Sequence, residues 1–293
     1  MTDEPHIAVV TGASRGIGRA IARRLAADGI AVAAVSRSLR AGDGTLSGSL
    51  EETVAQIAAD GGRAVAIGFD LGDPRADRQE IIARARAEFG APVDIVVNCA
   101  AAPRHFDRTF PHMTRESFFE AVEANVWAAW ELAAAAVPGM RERGAGWILN
   151  ISSSQAGPRK GPPFPANPTH GAALYGGTKA FLDRITTGAA MDLYEENIAV
   201  NALAPEYQVA TENALTVPGV RTDNSEPEET IAEAALALCT GDPKTLTGRI
   251  AYNLSLLAEL ERPVRTLDGR SLLAGWQPGQ IDTARLRVPY LRT

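Results

Sequence analysis

Seven short apolar segments alternate with longer segments of helical periodicity along the 293 residues of the chain. The predicted strands are Ile7–Thr11, Ile30–Ser36, Ala64–Phe69, Val93–Asn98, Trp147–Ser152, Ile198–Leu203 and Arg249–Asn253, and the predicted helices include Gly16–Ala27, Leu50–Asp60, Arg75–Phe89, Thr114–Arg143 and Ala173–Tyr194. Strands that are apolar along their whole length and separated by helices are typical of a parallel sheet covered on both faces. The sequence therefore predicts an α/β fold with a doubly wound, mostly parallel sheet of about seven strands.

Three segments depart from this alternation. Arg37–Ser49 is rich in glycine and serine, and Gly157–Pro168 is rich in proline, so we expect both to be surface loops. The segment from Leu254 onward carries apolar residues such as Trp276 and Tyr290, which favours packing over the domain or over a neighbouring subunit. With 45% hydrophobic residues, residues 1–293 are predicted to form one domain, with a core at 5–253 and a C-terminal extension at 254–293.

The charge balance argues for a small-molecule partner. A net charge of −6 disfavours nucleic acid and anionic membranes, because both require a clustered basic face. The acidic N-terminus lacks the pattern of a signal peptide, and no apolar run is long enough to cross a bilayer. Cys99 and Cys239 are predicted to be reduced, and the four histidines have no metal-ligand spacing. These observations predict a cytoplasmic protein without a metal site.

A glycine-rich turn follows the first predicted strand. Gly12, Gly16 and Gly18 allow a tight turn, close approach of a diphosphate to the backbone, and close contact between helix and strand. The next helix would present its free N–H groups and positive dipole end to the phosphates. A plain tight turn is the alternative, but the position between a first strand and a helix favours a dinucleotide site. We predict that this site also includes Ser14, Arg15 and Ile17.

The end of the second strand indicates which dinucleotide is preferred. An acidic residue there would bind the ribose 2′-hydroxyl of NAD, but this strand ends in Ser36, Arg37 and Ser38. Arg37 and Arg15 could instead form charge-assisted hydrogen bonds to a 2′-phosphate. The sequence thus favours NADP(H) over NADH, and the alternative is that Arg37 is an ordinary solvated arginine.

Tyr175 and Lys179 lie four residues apart in a chain that contains only five tyrosines and three lysines. In a helix this spacing places both side chains on one face. The pKa of a free tyrosine is about 10, and a nearby positive charge can lower such a pKa by about 1–3 units. We therefore expect the Lys179 ammonium to lower the pKa of Tyr175 and to make it a proton donor and acceptor.

With these residues, the sequence resembles the short-chain dehydrogenase/reductase family, in its single-domain branch, over roughly residues 5–253. The resemblance implies a Rossmann fold and further cofactor contacts. Asp70 in Phe-Asp-Leu71 matches the acid that holds adenine, and Asn98 begins the segment Asn98-Cys99-Ala100-Ala101, which stands for the family's Asn-Asn-Ala-Gly. A likeness to hydroxysteroid dehydrogenase-like members rests on the extended loop that leads into Gly48-Ser-Leu-Glu-Glu-Thr. The cofactor residues implied in this way are Asp70, Leu71, Asn98, Ala100, Tyr175, Lys179, Pro205 and Thr211.

The same resemblance implies four catalytic residues, Asn125, Ser153, Tyr175 and Lys179. Asn125 matches the helix asparagine of a proton relay to lysine, and Ser153 matches the serine that binds the substrate oxygen, with Ser152 and Ser154 as alternatives. After the sixth strand Glu206 replaces the family's glycine, and Thr211 comes one place late.

The predicted function is an NADP(H)-dependent oxidoreductase that interconverts a carbonyl and an alcohol by hydride transfer. A redox-neutral dehydratase or epimerase on the same frame is one alternative, and a non-catalytic NADP(H)-sensing protein is another. The family resemblance also implies a homodimer or homotetramer, formed through the long helices Thr114–Arg143 and Ala173–Tyr194. The sequence leaves the substrate open.

Overall fold

The computed structural model of the protein describes residues 5–102, 110–158, 161–164, 172–216, 221–222 and 225–287. Strands and helices alternate through the described residues. In chain order they are β1 (Ile7–Thr11), α1 (Gly16–Ala27), β2 (Ala31–Ser36), α2 (Leu50–Ala59), β3 (Ala64–Gly68), α3 (Gln79–Phe89), β4 (Ile95–Asn98), α4 (Arg115–Val122), a π-helical turn (Glu123–Trp127), α5 (Ala128–Arg143), β5 (Gly146–Ile151), α6 (Ala172–Leu193), β6 (Ile198–Ala204), β7 (Gln208–Val209), β8 (Ser225–Glu226), α7 (Glu228–Thr240), β9 (Ile250–Tyr252) and α8 (Asn253–Glu259).

Seven strands form one parallel sheet in the order β3-β2-β1-β4-β5-β6-β9. β1 lies at the point where the order reverses, with Val9 opposite Ala33 of β2 on one side and Val96 of β4 on the other. In open sheets of this kind, ligands bind in the crevice at the carboxyl ends of the strands beside the reversal. The predicted doubly wound fold is confirmed, and the topology places the candidate site at the ends of β1, β4 and β5.

The strands β1 to β6 send alternate side chains to two apolar layers. Ala8 and Val10 of β1 pack in the layer formed with α1, α2, α7 and α8, whereas Ile7 and Val9 pack in the layer formed with α3, α5 and α6. This follows from the two-residue period of a strand, and it explains why the strands are apolar throughout. Among the described residues, no helix has the length and apolar character needed to span a membrane.

The largest differences from the predicted helices are at the start of α3 and within 114–143, whereas the ends of α2 and α6 differ by one residue. α3 begins at Gln79 rather than Arg75, because Asp73 and Asp77 accept backbone N–H groups two residues ahead and form turns there. The single helix predicted over 114–143 is instead α4 and α5 separated by the π-helical turn, with Thr114 as the N-cap of α4. α7 was not among the predicted helices, and its residues Thr230–Cys239 are all buried.

The C-terminal segment packs against the core as far as it is described. Val264 and Leu267 are buried in the layer with α1 and α7, and Trp276 packs against that layer. Arg262 forms an ion pair with the buried Glu233 of α7 at 2.7 Å. Pro289, Tyr290 and Leu291 lie outside the described residues, as do 159–160 and 165–168 of the proline-rich segment; Arg37–Ser49 is non-helical, as predicted.

A glycine brings the start of α6 close to the turn after β5. A Cβ atom added at Gly176 would lie 2.5 Å from the carbonyl oxygen of Gln155, whereas one added at the neighbouring Gly177 would meet nothing within 4 Å. Only a residue without a side chain therefore allows α6 to approach this turn. The contact fixes the distance between Ser153, in the turn, and Tyr175, on the helix.

We predict opposite effects for two adjacent substitutions. Gly176→Ala should lower the free energy of unfolding by about 1–3 kcal/mol, because the new methyl group overpacks against the Gln155 carbonyl. Gly177→Ala should raise it by up to about 1 kcal/mol, because alanine favours the helix and the space is open. Urea denaturation of both variants measures the difference, and effects of the same sign would contradict this role for Gly176.

Candidate active site

Tyr175 and Ser153 meet at the carboxyl end of β5. Ser153 follows that strand, Tyr175 lies in the first turn of α6, and their hydroxyl groups share a hydrogen bond. The Ser153 oxygen also accepts the N–H of Gln155 at 3.2 Å, which orients it. Ser152 is buried, and its N–H binds the carbonyl of Leu203 in β6. Of the three adjacent serines, Ser153 is thus the one that the structure places against Tyr175 by a hydrogen bond.

Lys179 lies one helical turn after Tyr175 and is 2% exposed. Its Nζ donates to the carbonyl oxygen of Ile151 in β5 at 2.6 Å and lies 5.8 Å from the centre of the Tyr175 ring. Burial lowers the pKa of Lys179 to about 8, an effect partly offset by the neighbouring Cys99 and Asp183. The amine is therefore still mostly charged at neutral pH and loses its charge as the pH rises through about 8.

The pKa of Tyr175 moves in the direction opposite to the one expected from the sequence. Burial raises it to about 12, and the hydrogen bond from Ser153 offsets only part of that rise. The ammonium of Lys179 is directed at the Ile151 carbonyl rather than at the phenol oxygen, so desolvation outweighs its attraction for a phenolate. Without a bound cofactor, Tyr175 is a protonated phenol at neutral pH.

Asn125 lies in the π-helical turn and is 2% exposed. Its Oδ1 accepts the N–H of Ala102 at 2.7 Å, and its Nδ2 donates to the Thr178 hydroxyl at 3.1 Å. Thr178 in turn donates to the Tyr175 carbonyl at 2.8 Å. Asn125 thus joins the segment after β4 to α6 between the two predicted catalytic residues. Thr178 had no signal in the sequence beyond its place between Tyr175 and Lys179.

Asn98 has its amide directed into the protein interior. It is 5% exposed, and its Nδ2 donates to Asn150 Oδ1 at 2.9 Å and to the Ala129 carbonyl at 3.3 Å. The Nδ2 of Asn150 in turn donates to the Thr186 hydroxyl of α6 at 2.9 Å. The Asn98 side chain is therefore occupied by a buried network that joins β4, β5, α5 and α6.

The glycine turn has the close backbone contacts that a dinucleotide site needs. A Cβ at Gly18 would lie 2.3 Å from the Gly12 carbonyl oxygen, and a Cβ at Gly12 would lie 3.0 Å from the backbone of Ala100. Gly12 and Gly16 have positive φ angles of 69° and 52°, a conformation that favours glycine. The Thr11 hydroxyl accepts the N–H groups of Cys99 and Ala100, which joins the ends of β1 and β4.

A carboxylate already lies at the N-terminus of α1. Glu212 Oε2 accepts the N–H of Gly16 at 3.1 Å, and its other oxygen pairs with Arg19 at 2.8 Å. The preceding Thr211 packs directly on Gly16, within 3.0 Å of a Cβ built there. This N-terminus thus binds an anionic group, as expected from its free N–H groups and dipole. Glu212 was not among the predicted site residues, because 196 residues separate it from its glycine partner in the sequence.

The remaining cofactor residues lie at the ends of β2 and β3. Arg15 donates to the carbonyls of Ser47, Leu46 and Gly48 and to the Ser38 hydroxyl, so its guanidinium holds the loop Arg37–Ser49. Ser14 is 3% exposed, and its hydroxyl accepts a hydrogen bond from the Ser36 hydroxyl. Ile17 packs against the apolar layer formed with α1, α2, α7 and α8. Arg37 is 61% exposed, and its Nε lies 3.9 Å from Asp70. Of the two predicted arginines, Arg37 is the one with an exposed guanidinium.

The loop after β6 is fixed by a buried acid. Glu206 follows Pro205 and is 1% exposed; its Oε1 accepts the Arg287 N–H at 2.6 Å, and its own N–H donates to Asn253. Burial raises the pKa of Glu206. Glutamate in place of the family's glycine thus ties this loop to the C-terminal segment.

Known proteins resemble the chain over most of its length. A family model described as short chain dehydrogenase matches residues 6–217. The chain is 30% identical over 254 residues to dehydrogenase/reductase SDR family member 4 of Oryctolagus cuniculus, covering 83% of this chain and 89% of that protein. It is 32% identical over 209 residues to the 3-oxoacyl-[acyl-carrier-protein] reductase FabG of Escherichia coli, covering 71% and 75% of the two proteins.

A solved structure shares the architecture. The 3-oxoacyl (acyl-carrier-protein) reductase of Agrobacterium tumefaciens, crystallised with NADP bound, superposes with a TM-score of 0.69 at 26% identity, over 85% of this chain and 93% of that one. The glycine turn, the strand order and the family match agree with one another. The chain belongs to the short-chain dehydrogenase/reductase family of oxidoreductases.

Proposed function

We propose that the protein is an NADP(H)-dependent oxidoreductase that interconverts a carbonyl and an alcohol. The observation that carries the proposal is the hydrogen bond between Tyr175 and Ser153 beside the buried Lys179, at the end of the sheet where the glycine turn lies. Two hydroxyl groups that converge on one point can bind a carbonyl oxygen and protonate it.

The glycine turn and Arg37 fit a phosphorylated dinucleotide. Gly12, Gly16, Gly18 and the first N–H groups of α1 would hold the diphosphate in place of the Glu212 carboxylate, which accepts the Gly16 N–H in the cofactor-free protein. The exposed Arg37 would bind the 2′-phosphate. When bound, the reduced cofactor supplies a hydride to the carbonyl carbon. The crystal structure of the related reductase from Agrobacterium tumefaciens, which has NADP bound, supports NADP(H) as the cofactor.

The protein's own groups then manage the proton. Ser153 donates a hydrogen bond to the substrate oxygen, and Tyr175 transfers its phenolic proton to that oxygen as negative charge develops. The ammonium of Lys179 stabilises the phenolate left behind, and its charge is present below a pH of about 8. A phenol whose pKa is raised to about 12 is held in the protonated form, which suits carbonyl reduction.

The two alternatives differ from this proposal in their turnover. A redox-neutral dehydratase or epimerase would return the hydride to its substrate, and a sensor would bind NADP(H) without consuming it. The hydrogen-bonded Tyr175 and Ser153 favour an enzyme, because a binding protein needs no proton donor. A panel of apolar ketones, acyl thioesters and polar carbonyl compounds, followed by NADPH absorbance, distinguishes continuous consumption from a stoichiometric change.

Tyr175→Phe should lower kcat by about 100-fold or more, because the variant lacks the proton that a general acid supplies. The dissociation constant for NADPH, measured by fluorescence, should change little, since the ring is kept. Tyr194→Phe, at an exposed position after α6, is the matched control and should keep full activity. A Tyr175→Phe enzyme with most of its activity would refute the assignment of the acid.

Arg37→Gln should raise KM for NADPH by about tenfold or more, because it removes a charge-assisted hydrogen bond to the 2′-phosphate. KM for NADH should stay nearly constant, since NADH has no such phosphate. Arg40→Gln, 74% exposed in the same loop, controls for the loss of positive charge. Equal losses with both cofactors would place Arg37 outside the phosphate site.

We also propose that the protein is a homo-oligomer. Six large apolar side chains, each at least 45% exposed, lie on α4, α6 and the helix between them: Phe118, Phe119, Trp127, Trp130, Phe181 and Met191. A cavity of about 490 Å³ opens between α4, the π-helical turn and α6, and its lining does not include Ser153, Tyr175 or Lys179. Contiguous exposed apolar side chains on soluble proteins mark interaction sites, and a second copy of the chain would cover these six.

Light scattering should give a multiple of the 30.9 kDa chain mass, and Trp130→Glu should shift the mass toward that of one chain. The added charge would have to be buried without a partner in such an interface. Leu272→Glu, on an exposed apolar residue of the C-terminal segment, should leave the mass unchanged. A wild-type protein that scatters as a single chain would rule out the oligomer.

A further inference from the structure

Arg78 immediately precedes α3. It is the largest of the fully buried side chains among the described residues, and it is 1% exposed. One of its terminal nitrogens donates to Glu131 at 2.7 Å, and the other donates to Glu123 at 2.6 Å. The second nitrogen also donates to the carbonyl oxygen of Leu71 at 2.8 Å. A single guanidinium therefore joins the turn after β3 to two carboxylates on the helix that carries Asn125.

The two carboxylates belong to residues at opposite ends of the π-helical turn, one at its start and one beyond its end. Glu123 begins the π-helical turn, Glu131 lies in α5, and the N–H of Ala128 bonds the Glu123 carbonyl five residues earlier. Such a turn is equivalent to one residue inserted into an α-helix. Residues that are eight apart in a regular helix differ by about 80° around the axis, whereas with one inserted residue they differ by only about 20°. The inserted residue thus brings Glu123 and Glu131 to the same face, where one guanidinium binds both.

The direction of Asn125 depends on the same turn. Removing the inserted residue would rotate one side of the helix relative to the other by about 100°. Asn125 could then not keep its bonds to the Ala102 N–H and the Thr178 hydroxyl, which come from different elements. Since a π-helical turn is rare and needs support from its surroundings, the ion pairs of Arg78 supply a reason for it to persist.

We propose that Arg78 is a positioning residue for the reaction: by binding Glu123 and Glu131 together, it holds the π-helical turn in the form that directs Asn125 to Ala102 and Thr178. The effect on turnover rests on the proposed function, in which Asn125 supports the Tyr175 and Lys179 pair. The hold on Asn125 itself is a property of the cofactor-free fold.

The chain contains a matched control for a purely structural role. Glu233 is 1% exposed and binds Arg24 and Arg262, each at 2.7 Å, so it is an acid between two arginines where Arg78 is an arginine between two acids. This second network joins α1, α7 and the C-terminal segment and has no member among the candidate catalytic residues. Breaking either network should destabilise the fold, but only the network of Arg78 should alter Asn125.

The experiment compares Glu131→Gln with Glu233→Gln, below the unfolding temperature of both. Glu131→Gln should lower kcat about tenfold through misplacement of Asn125, and Glu233→Gln should leave kcat within about twofold. In an Asn125→Ala background, Glu131→Gln should cause almost no further loss, because two changes that act through one contact are not additive. Losses that multiply in the double variant, or an equal loss in Glu233→Gln, would overturn the proposal.

A second measurement does not depend on turnover. Hydrogen exchange of the Ala102 amide, which is bonded to Asn125 in the structure, should accelerate at least tenfold in Glu131→Gln and not in Glu233→Gln. Arg78→Lys, which keeps the charge but cannot span two carboxylates and a carbonyl, should also accelerate it. Unchanged exchange in both variants of the Arg78 network would contradict the positioning role. If exchange responds while wild-type protein shows no turnover with any carbonyl, the proposed function fails and the positioning of Asn125 stands.

Discussion

The close packing of backbone on backbone at the carboxyl ends of β1 and β5 is the constraint on which the site depends. After β1, Gly18 lies so near the Gly12 carbonyl that a Cβ would be 2.3 Å from its oxygen. After β5, a Cβ at Gly176 would be 2.5 Å from the Gln155 carbonyl oxygen. The first contact shapes the turn that would hold a diphosphate, and the second sets Tyr175 against Ser153. Both contacts lie at the carboxyl ends of strands beside the point where the strand order reverses. They therefore shape the same crevice.

Burial determines the charge states of the candidate catalytic groups. Tyr175 and Lys179 are both desolvated, and desolvation favours the neutral form of each, raising the pKa of the phenol and lowering that of the amine. In the cofactor-free protein the proton thus stays on the phenol. Neighbouring groups, Cys99 and Asp183, partly offset the lowering of the Lys179 pKa, so the ammonium is still present at neutral pH. A protonated acid and a charged neighbour are the states that a carbonyl reductase requires before its substrate arrives.

Much of the fold was predictable because it follows from local patterns. The seven strands, the turn at Gly12–Gly18 and the common face of Tyr175 and Lys179 were predicted from periodicity and from glycine. The parallel sheet confirms the predicted strands, and the family match confirms the predicted family. Helix boundaries were less predictable, since aspartates such as Asp73 and Asp77 compete for backbone N–H groups. The expected effect of Lys179 on the pKa of Tyr175 was wrong, because a spacing of four residues gives proximity but not the depth at which both groups are buried.

The sequence by itself determined which residues are near one another along a helix or at the end of a strand, because these relations span only a few residues. The tertiary structure alone decided what each side chain binds. It directed Arg15 to the loop Arg37–Ser49, Asn98 into a buried amide network, Glu212 to the start of α1, and Arg78 to Glu123 and Glu131. These partners are from 23 to 196 residues apart, and such contacts are fixed by how sheets and helices pack rather than by any local pattern.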